Sequence, residues 1–401
     1  MRALLEIRRM LQDSIDGKHL FERKDRDDDD DNEERIDEIS LWGVPLLPSK
    51  GDEGTDIVLV KFLVAQDWKV DEAFEMLKRT LLWRRDERIE TILEEDLGRD
   101  DLEHVIFVNG SDREGHPVCY NVYGAFGDKE LCRKTFGNEE GVNRFLRWRV
   151  QVMERSIRGL RFGPAGVDSL LQITDLKNSP GLGIKELGPA SEAAVSLFQQ
   201  HYPELIYKNI IINTPFWYYM FHRVLAQHCG HRTRKKFIFA RPYRVTETLL
   251  KYISPENIPV EYGGLKRADD EEFTPEDKVL ELVVKGAASA CIEIPIPEAQ
   301  VTIVWDLMVV GCEVSYQEEF IPDDEGSYRV LLQKETKIAG SSRNSFFLHE
   351  TGKILISLKN GSYHKNRVFC RYKCKVTLPL YILHRQQQQQ MKVSFSDQSH
   401  G

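Results

Sequence analysis

Two short apolar runs, Ile210-Ile211-Ile212 and Phe237-Ile238-Phe239, bracket a bulky segment that begins Pro215-Phe216-Trp217-Tyr218-Tyr219-Met220-Phe221. Roughly twenty residues of helical pattern join them, enough for the crossover that a parallel pair of strands requires. The arrangement predicts a βαβ unit. The connecting segment is rich in large side chains with soft or aromatic surfaces. Glu204 and Lys236 stand beside the two strands. A greasy segment next to one anion and one cation reads as a wall around an amphiphile rather than ordinary core.

The same alternation extends upstream. Val118 to Val122 forms the first strand, entered through Asp112-Arg113-Glu114-Gly115-His116-Pro117. Val142, Leu146, Val150, Met153 and Ile157 make one helical stripe. Leu170 to Ile173 is a strand and Leu187 to Phe198 a helix. Strands alternating with helices imply a largely parallel sheet covered by helices. Before it, Val60, Leu63 and Val64 share one helical face. Asp71 suits the N-cap of a second helix bearing Phe74, Leu77 and Leu81, and Gly98 suits its stop.

Past residue 272 the period changes to two. Ile292, Ile294 and Ile296 alternate with polar or Pro positions, as do Val301, Ile303, Trp305, Leu307 and Val309, and Ile354, Ile356 and Leu358. Turns at Asp323-Asp324-Glu325-Gly326 and Asn360-Gly361 separate them, which predicts an antiparallel sandwich. In the last strand Val368, Cys370, Tyr372, Cys374 and Val376 face one way. Arg367, Arg371, Lys373 and Lys375 face the other. The expected organisation is an N-terminal helix and acidic segment (1–55), a helical lobe (56–100), an α/β domain (101–268), a β-sandwich (272–378) and an unstructured tail (379–401). Five consecutive aspartates, Asp27 to Asp31, centre the acidic run from Glu22 to Glu38. Gln386 to Gln390 mark the tail.

Composition removes several function classes. A formal net charge of −9 argues against nucleic-acid binding, which rests on neutralising phosphates. No apolar run approaches the roughly 20 residues of a membrane span; the best, Val301 to Val310, contains Asp306. The N-terminus lacks a signal-peptide core. A cytoplasmic protein with peripheral membrane contact is expected. The seven cysteines follow no framework. Cys370 and Cys374 would stand about 13 Å apart along a strand, beyond the roughly 7 Å reach of a disulfide.

Catalytic signatures are missing too. There is no phosphate-binding loop and no Gly-x-Ser-x-Gly elbow, and Gly181-x-Gly183 lacks the rest of a dinucleotide fingerprint. His222, His228, Cys229 and His231 do not make a zinc set, because a spacing of six puts the first two on opposite helix faces. No carboxylate pair presents itself as an acid–base couple. Neither an enzyme nor a cofactor is expected.

Five motifs in register resemble the CRAL-TRIO lipid-binding and phosphatidylinositol-transfer family. They are Asp112-x-x-Gly115-x-Pro117-Val118, Asp175-Leu176-Lys177, Tyr202-Pro203-Glu204, Ile212-Asn213-x-Pro215-Phe216 and Pro259-Val260-x-Tyr262-Gly263-Gly264. Val304-Trp305-Asp306 and Glu313-Val314-x-Tyr316-x-x-Glu319-Phe320 resemble a GOLD domain. In this order, behind an acidic segment, the domains are similar to the plant patellins over about residues 40–378.

The resemblance implies a sheet-floored pocket for acyl chains, closed by a helical gate that maps onto Phe216, Trp217, Met220 and Phe221. Burial of a tail is favourable by about 0.8 kcal/mol per methylene. It implies that Glu204 and Lys236 hold a phosphoinositide headgroup, carboxylate to ring hydroxyls and ammonium to phosphate. Arg232, Arg234 and Lys235 become candidates for membrane phosphates. The cationic face Arg367, Arg371, Lys373 and Lys375 is a further candidate, at roughly 1 kcal/mol per cation near an anionic leaflet. Its other reading is a solvated strand face that discourages edge aggregation.

Two departures stand out. The Arg-x-Arg phrase of the helical lobe is missing, since Phe62-Leu63 is followed by Val64-Ala65-Gln66. The Ser and Thr of phosphatidylcholine-exchanging members are replaced by Leu170 and Gln172. The expected function is phosphoinositide binding or transfer at membranes, with trafficking proteins as partners through the GOLD-like domain. The alternative is an adaptor with a vestigial pocket.

Overall fold

The computed structural model describes residues 2–17, 20, 39–46, 53–179, 187–215, 218 and 236–376. The acidic run and the Gln-rich tail lie outside them. The chain divides into two compact units, Met1–Val245 and Thr246–Gly401.

In the first unit, helix α1 (Arg2–Asp16) buries Ile7, Leu11 and Ile15, one side chain per turn. It packs on α2 (Glu53–Ala65) and α3 (Val70–Asp86). A short hairpin of β1 (Ser40–Leu41) and β2 (Val44–Pro45) adds Trp42, which stacks on Phe62. Helix α3 starts two residues earlier than its Asp71 suggests. Its N-cap is Lys69, and Asp71 and Glu72 lie in the first turn, where their charge favours the positive helix end. The helix stops at Asp86, well before Gly98, because Arg88 adopts a left-handed backbone (φ 50°).

A five-stranded sheet follows, in order β3 (Ile106–Ser111), β4 (Pro117–Val122), β5 (Leu170–Asp175), β6 (Ile206–Ile212), β7 (Phe237–Phe239). β4 to β7 are parallel, with Ile173 opposite Ile210 and Ile210 opposite Ile238. β3 is an antiparallel edge strand that sequence patterning missed, because its Val108-Asn109-Gly110-Ser111 reads as a turn. The turn into β4 is fixed by Asp112, whose Oδ1 accepts the backbone N–H of Glu114 (2.9 Å) and His116 (2.8 Å).

Helix α4 (Arg99–Leu102) precedes β3, helices α5 (Lys129–Phe136) and α6 (Glu139–Ile157) lead from β4 to β5, and α7 (Leu187–His201) leads from β5 to β6. α6 carries two buried faces instead of one stripe. Val150, Met153 and Ile157 join the core of the helical lobe, while Phe145, Trp148 and Val152 join a second core with Phe126 and Phe136. The helix is therefore wrapped by protein over its second half, and its polar residues there must find partners.

The second unit is built from β8 (Leu280–Val284), β9 (Ser289–Ile296), β10 (Val301–Pro322), β11 (Val330–Leu348), β12 (Gly352–Lys359) and β13 (Asn366–Val376). All pairings are antiparallel. β10 is the shared strand of one bent six-stranded sheet: Val301 to Val310 pair with β13, Ser315 to Pro322 with β12, and β11 runs along both halves on its other edge. Between them Gly311 (φ 122°) turns the strand, and a Cβ there would meet Asn366 Oδ1 at 2.2 Å. The inward side switches parity at this corner, from Ile303, Trp305 and Leu307 to Val314, Tyr316 and Phe320, all in one core.

The outward face of β13 departs from the expected cationic surface. Arg371 is 2% exposed: it bonds Asp306 Oδ2 (2.8 Å) and the Leu265 carbonyl (2.7 Å). Arg343 bonds both Asp306 and Asp270, and the Phe273 ring lies against both guanidinium groups. The segment from Leu265 to Phe273 thus covers this part of the strand, which removes Arg371 from any membrane-facing set. The other cations carry acid partners: Arg367 with Glu281, Lys373 with Asp277, Lys375 with Glu272.

Asp306 is fully buried beneath these arginines. Asp306→Ala should therefore destabilise this unit by about 3–5 kcal/mol, the cost of stranding buried cations, read as a shifted urea midpoint. Burial would raise the Asp270 carboxyl, but hydrogen bonds from Arg343 and the backbone of Glu272 and Phe273 outweigh it and hold it at about 2. Its stabilising contribution is complete above the ordinary carboxylate range and is lost as pH falls towards 2. Asp270→Asn should flatten that part of the acid-unfolding curve.

Candidate functional site

The phrase Tyr202-Pro203-Glu204 ends α7 and feeds β6. Tyr202 is buried, and its hydroxyl donates to Glu154 Oε1 on α6 at 2.6 Å. Glu154 in turn receives Arg84 of α3 at 2.6 and 3.2 Å, and Arg84 also pairs with Glu90 at 2.8 Å. Burial and the Glu154 charge both raise the Tyr202 phenol far above its usual range, so it stays a donor. Anchored this way, the chain reverses at Glu204 in a left-handed conformation (φ 57°).

That turn sets a four-charge cluster. Lys236, just before β7, donates to Glu204 Oε2 at 2.8 Å, and both side chains are about one quarter exposed (28% and 24%). Lys61 of α2 donates to the Glu204 carbonyl at 3.1 Å and pairs with Asp168 at 3.3 Å. Burial lowers the Lys61 ammonium pKa, and Asp168 and Glu204 oppose that. Two ammonium groups and two carboxylates therefore meet at the junction of the helical lobe and the sheet. Such a set suits a ligand that brings both hydroxyls and an anion: the carboxylates accept, the ammoniums donate.

Sequence reasoning brought Glu204 and Lys236 to one place, but it missed Lys61 and Asp168. The signal for Lys61 was legible: it is the single charge in Val58-Leu59-Val60-Lys61-Phe62-Leu63-Val64. A buried helix with no polar face carries a lysine only where it is paired. Lys61 supplies a cation to the cluster although the Arg-x-Arg phrase is gone. Asp168 gave no signal beyond its place two residues before a strand.

Other motif residues shape the scaffold. Asp175 Oδ1 accepts from Asn213 Nδ2 (2.7 Å) and the Lys177 N–H (2.8 Å), tying the ends of β5 and β6. Gly264 admits no side chain, since a Cβ would lie 2.0 Å from the Ile258 carbonyl oxygen. Phe216, Trp217, Met220, Phe221, Arg232, Arg234 and Lys235 lie outside the described residues, as do His222, His228, Cys229 and His231. Among the described residues no His, Cys, Asp and Glu cluster could hold a metal ion, and no helix is long and apolar enough to cross a membrane.

His201, adjacent to the anchor, offers a pH test. It stacks on Trp83 at 4.2 Å, and burial, then Arg79 and Arg84, lower it from 6.5 to about 4. The fold requires the neutral ring. Stability of this unit should thus be complete above pH 6.5 and decline as pH falls towards 4. His201→Phe keeps the stack and should abolish that slope in thermal melts across the window.

The CRAL/TRIO N-terminal domain model matches residues 6–79, the CRAL/TRIO domain model residues 103–264, and the Patellin-1-like C-terminal GOLD domain model residues 285–366. Patellin-4 of Arabidopsis thaliana is 49% identical over 86% of this chain and 64% of its own length. Patellin-5 of the same plant is 44% identical over 94% and 54%, and Patellin-6 is 43% identical over 82% and 80%. The chain thus spans less than two thirds of the length of Patellin-4 and Patellin-5. The phosphatidylinositol transfer protein SFH5 of Cryptococcus neoformans is 31% identical over 56% of this chain and 79% of its own. A crystal structure of Sfh5 shares the fold over 62% of this chain and 84% of that one, with a TM-score of 0.50 at 21% identity. Helical lobe, α/β sheet and β-sandwich follow one another in this order, and the chain belongs to the patellin family.

Proposed function

We propose that this protein is a peripheral lipid carrier that holds a phosphoinositide headgroup at Glu204 and Lys236. The observation that carries the reading is the 2.8 Å pair between those side chains, held partly open to solvent on a braced turn and flanked by Lys61 and Asp168. A headgroup that enters would take the ammonium by its phosphate and the carboxylate by its ring hydroxyls. Charge balance is kept on exchange, which matters because a stranded charge there is costly. The relative named as a phosphatidylinositol transfer protein supports the same class of cargo. The activity we assign is carriage rather than catalysis.

The gate would come from Phe216, Trp217, Met220 and Phe221, and Arg232, Arg234 and Lys235 would meet membrane phosphates. Arg367, Lys373 and Lys375 could join them only by exchanging their acid partners for lipid phosphates. Traffic-related partners would be engaged through the GOLD domain.

Transfer between vesicles tests this. Wild-type protein should move phosphatidylinositol from donor to acceptor vesicles, and Glu204→Gln or Lys236→Met should slow it roughly ten-fold or more, one charge-assisted hydrogen bond. Unchanged transfer in both variants, together with vesicle capture indifferent to headgroup, would instead favour an adaptor with a vestigial pocket.

A further inference from the structure

Arg149 lies on α6 between Trp148 and Val150 and is 8% exposed. Its Nη1 donates to Asn121 Oδ1 at 2.9 Å and to the Tyr123 hydroxyl at 3.1 Å. Its guanidinium stands 5.2 Å from the centre of the Phe198 ring. All three neighbours are neutral. Among the described residues no carboxylate pairs with Arg149, and its Nε and Nη2 have no acceptor. Arg84, as deeply buried, holds two glutamates. A guanidinium withdrawn from water without a counter-charge is expensive to keep.

This side chain lines a narrow cleft, partly open to solvent, between the sheet and helices α6 and α7. Met153, Leu170, Phe198 and Ile206 make its apolar wall, and no Asp or Glu lines it. Gln172 faces the same cleft, with no side-chain partner among the described residues. The Cys119 thiol is there too. Burial pushes it up to about 11 against the pull of Arg149, so it stays neutral and supplies no counter-charge. The unused Nε and Nη2 form one edge of the guanidinium, the edge that takes two oxygens of a phosphate or carboxylate in parallel bonds.

We propose that Arg149, with Gln172 beside it, is an anion subsite inside this cleft, distinct from the Lys236–Glu204 pair. It would take phosphodiester or carboxylate oxygens of an amphiphile whose chain lies along Met153, Leu170, Phe198 and Ile206. This rests on the lipid-carrier reading for the existence of an amphiphilic cargo, but not on that cargo being a phosphoinositide. Leu170 and Gln172 occupy the strand positions that carry a Ser and a Thr in phosphatidylcholine-exchanging members, so the anion contact would lie on the helix opposite instead of on the strand.

The test uses the full chain, stripped of lipid and offered four probes: phosphatidylcholine vesicles doped with phosphatidylglycerol, oleate, oleyl alcohol and inorganic phosphate. Bound ligand is counted by native mass spectrometry. Wild type should take up phosphatidylglycerol or oleate roughly ten- to a hundred-fold better than oleyl alcohol, the worth of a charge-assisted pair. Uptake of the first identifies a phosphodiester, of the second a carboxylate. Arg149→Met should erase the preference while leaving oleyl alcohol uptake unchanged, and Arg149→Lys should retain part of it. The wild-type preference needs no variant, so a misfolded Arg149→Met does not end the test. Equal uptake of charged and uncharged chains by wild type overturns the subsite. So does loss of both kinds together in a folded variant, or binding of inorganic phosphate as tight as that of the lipids. Glu204→Gln with Lys236→Met should leave this preference intact, so failure of the inositol assignment is seen separately. A wild-type chain that takes up no amphiphile overturns both.

Discussion

The first unit hangs on one buried carboxylate. Glu154 accepts two bonds from Arg84 and one from Tyr202, and thereby ties α3, α6 and the turn after α7 to a single point. Each donor comes from a different element. Removing water from these groups is unfavourable, and only the completed set offsets it. The set also brings the helical lobe against the sheet, and that contact is what allows Lys61 to reach the Glu204 carbonyl from another domain of the fold. The position of the headgroup candidates is a consequence of this brace more than of the strands that flank them.

Much of the architecture was legible in the sequence, for reasons that can be named. Apolar runs such as Ile210-Ile211-Ile212 announce strands buried on both faces, and the change to period two after residue 272 announces a sandwich. β3 was not legible, because an edge strand needs only one buried face and its asparagine and glycine resemble a turn. The two faces of α6 were not legible either. A stripe at helical spacing reports one neighbour, and the second core declares itself only when Phe145, Trp148 and Val152 find theirs in space.

Site residues divide in the same way. Glu204 and Lys236 could be named from motif positions, and the turn at Glu204 brings their side chains together. Arg371 could not be placed by alternation, because period two reports which face a residue occupies and not what covers that face. The cover here is the chain between Leu265 and Phe273, about a hundred residues earlier in sequence. Lys61, the one charge in an otherwise apolar window, was legible as a paired cation, whereas Arg149 stands among Arg147, Gln151 and Glu154 and carries no such signal.

The corner at Gly311 has a mechanical meaning. β10 runs through both halves of the sheet, with β13 bound to its first half, β12 to its second and β11 alongside both. β13 or β12 can fray from its own half, but β10 cannot shift against either of them without disturbing the register that β11 keeps along both. β10 and β11 therefore couple the two halves, and a pull on either end of β10 is transmitted across the corner to the other half.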